Sequence, residues 1–448
     1  MAYSPHTEAD HRRMLDAIGA PSIEDLFADI PTAVRARSFD LPAPLTEQEV
    51  RAELTRIANR NALPRISFLG AGAYRHLVPA VVGEVIGRAE FATAYTPYQP
   101  EVSQGTLQSI YEFQSMVCEL TGMEVASASH YDGATATAEA ALMACRLTRR
   151  DRVLVSTAVS PQVRRVLRTY CSGPGIEVVE VPADLAEGGS GLTPVEAAES
   201  LLDETVACLV AQQPNFFGGI ESMRRLADAA HAAGAQLVAM VEPTSLAILE
   251  APGRYGADIV TAEGQPLGIP LSFGGPYVGL MAARMASVRQ MPGRLVGSTR
   301  DAQGRKGYVL TLQAREQHIR REKAASNICT NQALCALAAT AYLTAVGPDG
   351  LREVAEVSMT QARHLAAALE GAGLGERRFA APYFAEVAIR VPGASRLHAA
   401  LAERGIVAGH PLWNDYPELT DTLLLAATEL TTDDEIAELV SAMGELVE

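Results

Sequence analysis

The sequence predicts an α/β protein with a mainly parallel sheet covered by helices on both faces. Two observations carry this. Short apolar or β-branched runs recur between about residues 110 and 290, and helical stretches lie between several of them. The chain also has enough apolar material for a large core: 448 residues, 48% apolar and 20% charged.

The elements follow in order. Residues 1–61 read as an N-terminal helical arm, with prolines at Pro21, Pro31, Pro42 and Pro44. Ser22-Ile-Glu-Asp25 and Thr46-Glu-Gln-Glu49 each fit a helix start, with acids in the first turn. The apolar positions Leu15, Ile18, Ile23, Leu26 and Phe27 suit an arm that packs on something, and a neighbouring subunit is one candidate. Residues 62–312 read as the large α/β domain. Its strands are expected at 152–156, 176–182, 206–213, 236–242, 258–262 and 277–283, with helices at 192–203 and 221–233. Residues 313–448 read as a small α+β domain. It should hold long helices at about 313–346 and 349–372, strands at 384–391 and 422–428, and flanking helices at 395–404 and 432–447.

Composition narrows the function. A net charge of −16 repels phosphates, so nucleic acid and anionic membrane are poor partners. The N-terminus, MAYSPHTEADHRR, lacks the basic start and apolar run of a signal peptide, which points to the cytoplasm. The apolar stretch 333–346 is short for a membrane span and reads as a buried helix. The six cysteines form no C-x-x-C pair and read mostly as buried thiols in a reducing compartment.

Chemistry concentrates in four segments. Gly256–Pro276 reads GADIVTAEGQPLGIPLSFGGP, an apolar strand running into a polar turn at Glu263-Gly264-Gln265. Pyridoxal-phosphate enzymes with an aminotransferase-like fold place a lysine on such a turn, because its amine bonds to the cofactor aldehyde. Here Gln265 or Pro266 stands at that position, and the whole chain has two lysines, Lys306 and Lys323. Glu242 follows a strand at the place where an acid, usually Asp, pairs with the pyridine nitrogen; it reads as a retained or repurposed acid. His130–Thr135 reads either as a phosphate cradle or as plain helix capping by Asp132 or Thr135.

The other two segments are loops. Phe91–Gln108 carries Tyr95, Tyr98, Gln99, Glu101, Ser103 and Gln104 on a backbone stiffened by Pro97 and Pro100. Tyrosines on a rigid loop suit a planar ring or a phosphate; a capped loop before a helix is the plainer reading. Arg320–Asn331 is the densest polar run, and its guanidinium and hydroxyl donors suit carboxylate or phosphate. A charged helix ending in a capped turn explains it too. Cys329 lies among these donors, and a buried, inert thiol is favoured over a reactive one.

With these residues in view, the chain resembles the glycine-decarboxylating P-proteins of the glycine cleavage system, in particular subunit 1 of the two-chain bacterial form. The likeness runs end to end and is strongest at 68–82, 92–114, 262–276 and 315–332. It implies a fold-type-I pyridoxal-phosphate transferase fold and a lysine-less subunit with no catalytic lysine of its own. The cofactor is then bound covalently by a second subunit, in a heterodimer that pairs into a heterotetramer. The implied reaction decarboxylates glycine, releases CO2 and passes the aminomethyl group to the lipoyl group of the H-protein. By the same resemblance Tyr95, Tyr98, Gln99, Asn327 and Thr330 contact or support the partner's cofactor, while His130–Thr135 and Gln265 form this chain's own, empty pocket. Two alternatives stay open: a non-catalytic scaffold subunit, or a self-sufficient enzyme using Lys323 or Lys306.

Overall fold

The computed structural model describes residues 5–36, 38 and 40–447, so the first four residues of the N-terminal stretch lie outside the described residues. The chain divides into two units, Met1–Ala62 and Leu63–Glu448. In the first unit, helices Glu8–Ile18 and Glu47–Ala58 each open with a capping box, Thr7 with Asp10 and Thr46 with Glu49. Ser22 starts only the short 3-10 turn Glu24–Phe27, because Pro21 and Pro31 bracket the segment and cut the run short. Among the described residues of this unit none is buried, and Ile18, Leu26, Phe27 and Leu54 stand exposed.

The second unit is built on a seven-stranded sheet. Its order across the sheet is Val125–Ala126, Gly279–Ala283, Ile259–Glu263, Gln236–Val241, Val206–Gln213, Arg152–Ser156 and Glu177–Val181. The five strands from 259–263 outward pair in parallel. Gly279–Ala283 runs antiparallel to Ile259–Glu263, so the last run of the expected series reverses direction.

Side-chain alternation explains why the strands read as continuous apolar runs. Val153, Val155, Cys208, Val210, Val238, Met240 and Ile259 face one core, which also takes Met143 and Leu167 from helices Gly133–Thr148 and Pro161–Ser172. Leu154, Leu209, Leu237, Ala239, Val260 and Ala262 face the other, with Phe113, Leu226 and Tyr342 from helices on that side. Strands buried on both faces carry no polar alternation.

Two features depart from the expected elements. Leu295–Arg300 and Lys306–Thr311 form an unforeseen antiparallel hairpin. The long helix expected from 313 begins only at Ala333; before it come the short turns Gln313–Arg315, Gln317–Arg320 and Arg321–Lys323. Tertiary bonds override the helical pattern there. Arg315 donates to the carbonyls of Met291 and Gly293, Ser326 donates to Glu139, and Leu312 and Arg321 both adopt φ of 53°, outside any helix.

Helix Ala333–Gly371 is long and apolar enough to satisfy the length and composition of a membrane span. Gly347 (φ 62°, ψ −177°) breaks it before Pro348, and Ala336, Leu337, Ala339, Tyr342, Leu351 and Leu365 are buried within the protein. The C-terminal layer is a four-stranded sheet in the order Glu376–Arg377, Glu386–Arg390, Thr422–Ala426 and His410–Pro411, covered by helices Ala394–Glu403 and Asp433–Val447. Ile66–Ser67 pairs with Ile406–Val407, so the chain enters this layer before it builds the large sheet.

Leu237 is fully buried at the sheet centre. Leu237→Ala is expected to destabilise the fold by about 3 kcal/mol, the cost of a core cavity, and to lower Tm by a few degrees in a thermal scan. A change of less than one degree would show that this core is not continuous.

Candidate active site

Open α/β sheets bind ligands beyond the carboxyl ends of their strands. In this chain that position is filled from within. Gly133 starts the helix Gly133–Thr148, and its N–H donates to Glu263 Oε2 at 2.9 Å. The other Glu263 oxygen accepts from the N–H groups of Gln265 (3.1 Å) and Val278 (3.4 Å). A carboxylate thus sits where a helix N-terminus would receive an anion. Backbones also close in on one another: a Cβ on Gly133 would lie 2.7 Å from the Glu263 nitrogen, and one on Gly279 would lie 2.2 Å from the Asp132 carbonyl oxygen. Only glycine permits either approach. Asp132 caps the helix through Thr135, with the Thr135 N–H donating to Asp132 Oδ1 at 2.7 Å. His130 is buried beside Ser127 (3.1 Å), and burial pulls its pKa down to about 4, so it is neutral.

Gln265 is locked on the turn. Its Oε1 accepts from the Tyr74 N–H (2.8 Å), and its Nε2 donates to the carbonyls of Tyr74 (2.9 Å) and Ile269 (2.8 Å). It is 1% exposed. Tyr74 is held from the other side by Glu386, which accepts from its hydroxyl at 2.7 Å and from the Ala71 N–H at 2.6 Å. Glu242 is repurposed: it accepts from the N–H groups of Thr244 (3.0 Å) and Ser245 (2.7 Å) and caps the turn that follows its strand. Between Glu242, Glu386, His76 and Tyr74 remains a cavity of about 20 Å³, room for one water. Burial raises Glu242 and pushes Glu386 and Glu263 up to about 7. The pocket expected to be empty at His130–Thr135 and Gln265 is therefore a packed junction, in which, among the described residues, His130 Nε2 alone of these side chains is buried without a hydrogen-bond partner.

The open site lies elsewhere. A depression of about 470 Å³ is lined by Tyr98, Gln317, His318, Arg321, Glu322, Asn327, Ile328 and Cys329. It brings together two of the expected residues, Tyr98 and Asn327, from loops more than 200 positions apart. Thr330 joins them through Arg294, which donates to Thr330 Oγ1 at 3.0 Å and to the Tyr98 hydroxyl at 3.1 Å. Tyr95 (78% exposed) and Gln99 stand on the same loop, do not line the depression and, among the described residues, make no side-chain hydrogen bond.

Both loops are pinned. Gln104 ties the first to the hairpin, donating to the carbonyl of Tyr308 and accepting from its N–H, each at 2.9 Å. The second is stitched to the 127–139 region. Ser326 donates to Glu139 (2.7 Å), Asn331 to the Ala128 carbonyl (3.1 Å), and the Cys329 N–H to the Tyr131 hydroxyl (3.4 Å). Cys329 is exposed, against the expectation of a buried thiol, because residues 328–332 are irregular chain ahead of the helix that begins at Ala333. Cys145, Cys171 and Cys208 are buried as expected. Arg294 itself escaped the sequence reading. Its one signal was the turn-like Pro292-Gly293 just before a hairpin strand.

The sheet order and two-lobed build are those of fold-type-I pyridoxal-phosphate enzymes. The chain superposes on a Burkholderia pseudomallei sphingosine-1-phosphate lyase (TM-score 0.68, 16% identity, 93% of each chain). It also superposes on a Lactobacillus brevis glutamate decarboxylase (TM-score 0.68, 13% identity, 93% and 96% of the two chains). Within that class its relatives are specific. It matches the glycine cleavage system P-protein family over residues 1–443. It is 53% identical to a probable glycine dehydrogenase (decarboxylating) subunit 1 of Moorella thermoacetica, over 99% of both chains. The Geobacillus kaustophilus protein of the same description is 50% identical, over 99% of this chain and 98% of its own. A crystal structure of glycine decarboxylase (P-protein) of the glycine cleavage system, in inhibitor-bound form, superposes with a TM-score of 0.92 at 47% identity and full coverage of both chains. The chain belongs to the glycine cleavage system P-protein family.

Pyridoxal phosphate does not fit this chain's own strand-end position. Gln265 cannot form the bond to the cofactor aldehyde, Glu263 already occupies the helix N-terminus, and Glu242 is spent on its own turn. Lys306 lies on the hairpin against the Tyr111 and Tyr308 rings, and Lys323 on an exposed turn.

Glu263 gives a test of the filled junction. In the unfolded chain it titrates near 4.5 and in the folded chain near 7, so its contribution is fully present below 4.5 and is lost as pH rises through 7. The shift bounds the loss at about 3 kcal/mol, at about 1.4 kcal/mol per unit. The Tm difference between the wild type and Glu263→Gln is expected to move against the wild type from pH 5 to pH 8. A difference independent of pH would show that the N–H groups of Gly133, Gln265 and Val278 fully offset the burial of Glu263, so that it ionises alike in the folded and unfolded chains.

Proposed function

We propose that this chain is the lysine-less subunit of a glycine decarboxylase and acts only in complex with a second, pyridoxal-phosphate-bearing subunit. The description "subunit 1" on relatives about half identical over almost the whole chain supports a two-subunit enzyme. The single observation that carries the division of labour is the closed strand-end junction, with Gln265 or Pro266 at the lysine position and Gln265 locked by hydrogen bonds, beside an open depression on the same chain. The cofactor, bound by the partner, supplies an electron sink for the loss of CO2 from glycine.

This chain's part is to supply a wall. The Tyr98 loop and the Asn327–Thr330 turn face the partner's site, fix the substrate's orientation and keep water out. Tyr95 and Gln99, exposed beside Tyr98, contact or support the same site. The aminomethyl group passes to the lipoyl group of the H-protein, whose long arm reaches the site between the two subunits. The unequal pair doubles into a heterotetramer in the cytoplasm. The N-terminal arm, with its exposed Ile18, Phe27 and Leu54, clasps a neighbouring subunit.

The test is cofactor retention. The purified chain is mixed with one equivalent of pyridoxal phosphate, desalted, reduced with borohydride and mapped by peptide mass. The expected result is no retained cofactor and unmodified Lys306 and Lys323. Stoichiometric reduction onto either lysine would make the chain an enzyme in its own right and overturn the proposal.

A further inference from the structure

Arg294 is 3% exposed, yet it stands directly behind the open depression. Three of its contacts matter. One terminal nitrogen donates to Thr330 Oγ1 at 3.0 Å and the other to the Tyr98 hydroxyl at 3.1 Å. Its Nε lies 3.5 Å from Glu316 Oε2, a carboxylate that is itself 8% exposed in its side chain. The guanidinium also sits over the Tyr98 ring, 5.5 Å from its centre. The backbone is anchored as well: the Arg294 carbonyl accepts from the Ala128 N–H at 2.9 Å, and Gln114 brackets the next peaks of the chain at Val296 (2.9 and 3.0 Å).

The direction of these bonds has a chemical consequence. A guanidinium can only donate, so both hydroxyl oxygens act as acceptors toward it. Their own protons must then be donated elsewhere. Among the described residues no protein acceptor takes either proton. Tyr98 lines the depression, and Thr330 directly follows the lining residue Cys329. The planar fork holds the two hydroxyls at a fixed separation, which a flexible ammonium cannot do.

We propose that Arg294 is a positioning residue: it turns the Tyr98 and Thr330 hydroxyls into a fixed pair of donors for an anionic oxygen presented in the depression. This rests on the proposed function above, in which that face meets the partner's site. A carboxylate or a phosphate is the group that matches, because each offers only acceptors and gains most from polarised donors. Two sources supply such an oxygen there: the carboxylate of glycine and the phosphate of the partner's cofactor.

The test is a double-mutant cycle on the complex reconstituted with the second subunit: wild type, Tyr98→Phe, Arg294→Lys and the double variant. Turnover, KM for glycine, pyridoxal-phosphate affinity and Tm are read for each. Tyr98→Phe and Arg294→Lys are each expected to lower kcat/KM by about tenfold, one polarised hydrogen bond's worth, and the double variant to be no worse than about twofold beyond either. A rise in glycine KM with cofactor affinity unchanged identifies the substrate carboxylate; a fall in cofactor affinity with KM unchanged identifies the phosphate. Either supports the proposal. Costly single variants whose losses multiply in the double, or an Arg294→Lys complex with wild-type kinetics, overturn it and leave the subunit reading intact. Tyr98→Phe without effect in an assembled complex overturns both. Should Arg294→Lys fail to fold, Arg294→Gln takes its place in the same cycle, since it keeps a neutral donor without the charge.

Discussion

The contact on which the rest of this structure depends is the carboxylate of Glu263 on the N-terminus of the helix that begins at Gly133. A helix N-terminus carries partial positive charge and unpaired N–H groups, and it will hold some anion. A phosphate is one anion that such an end accepts. Here the place is taken by a carboxyl side chain of the same protein, Glu263, which burial keeps protonated below about pH 7 and which the preceding strand delivers. Once that carboxylate is seated, Gly133 and Gly279 must be glycines, because the backbones meet too closely for a Cβ. Gln265 then has a fixed place, and its amide closes on Tyr74.

From there the closure spreads outward. Tyr74 is held by Glu386 from the C-terminal layer, and the following residues are clamped by Glu429, which meets His76 at 2.6 Å and the Leu77 N–H at 2.7 Å. The two lobes of the second unit are thus joined through the position where the fold class would keep its cofactor. The open depression lies next to this closed position, because the 326–332 turn bonds Ser129 and Tyr131 at the edge of the junction. There the Tyr98 loop and the 326–332 turn are rigid at their roots and open at their tips, as a wall meant for another chain's site would be.

Much of this was legible in the sequence. The parallel strands announced themselves as apolar runs because both of their faces are buried, and the sequence showed the capping box Thr46–Glu49 but not Thr7–Asp10, while Ser22–Asp25 opens only a short 3-10 turn. The missing lysine was plain from the turn at Glu263–Gln265. What the sequence hid was contact across long separations. Nothing local marks Glu263 as the occupant of a helix 130 residues earlier, or Glu386 as the partner of Tyr74 across 312 residues. The stretch 313–332 misled for the same reason: its spacing suits a helix, but Arg315 and Ser326 spend their bonds on distant backbone and side chains. Arg294 was missed because the Pro292-Gly293 turn before it marks only a strand start, and its two hydroxyl partners lie far away in sequence.

A titration separates a two-subunit enzyme from a self-sufficient second subunit. The second subunit, loaded with pyridoxal phosphate, is held at fixed concentration with carboxyl-labelled glycine and the lipoylated H-protein, and this chain is added in increments while labelled CO2 is collected. The expected result is no release from either subunit alone and a linear rise that ends at one chain per cofactor. Release by the second subunit alone, unchanged as this chain is added, would contradict it, since no wall would then be missing.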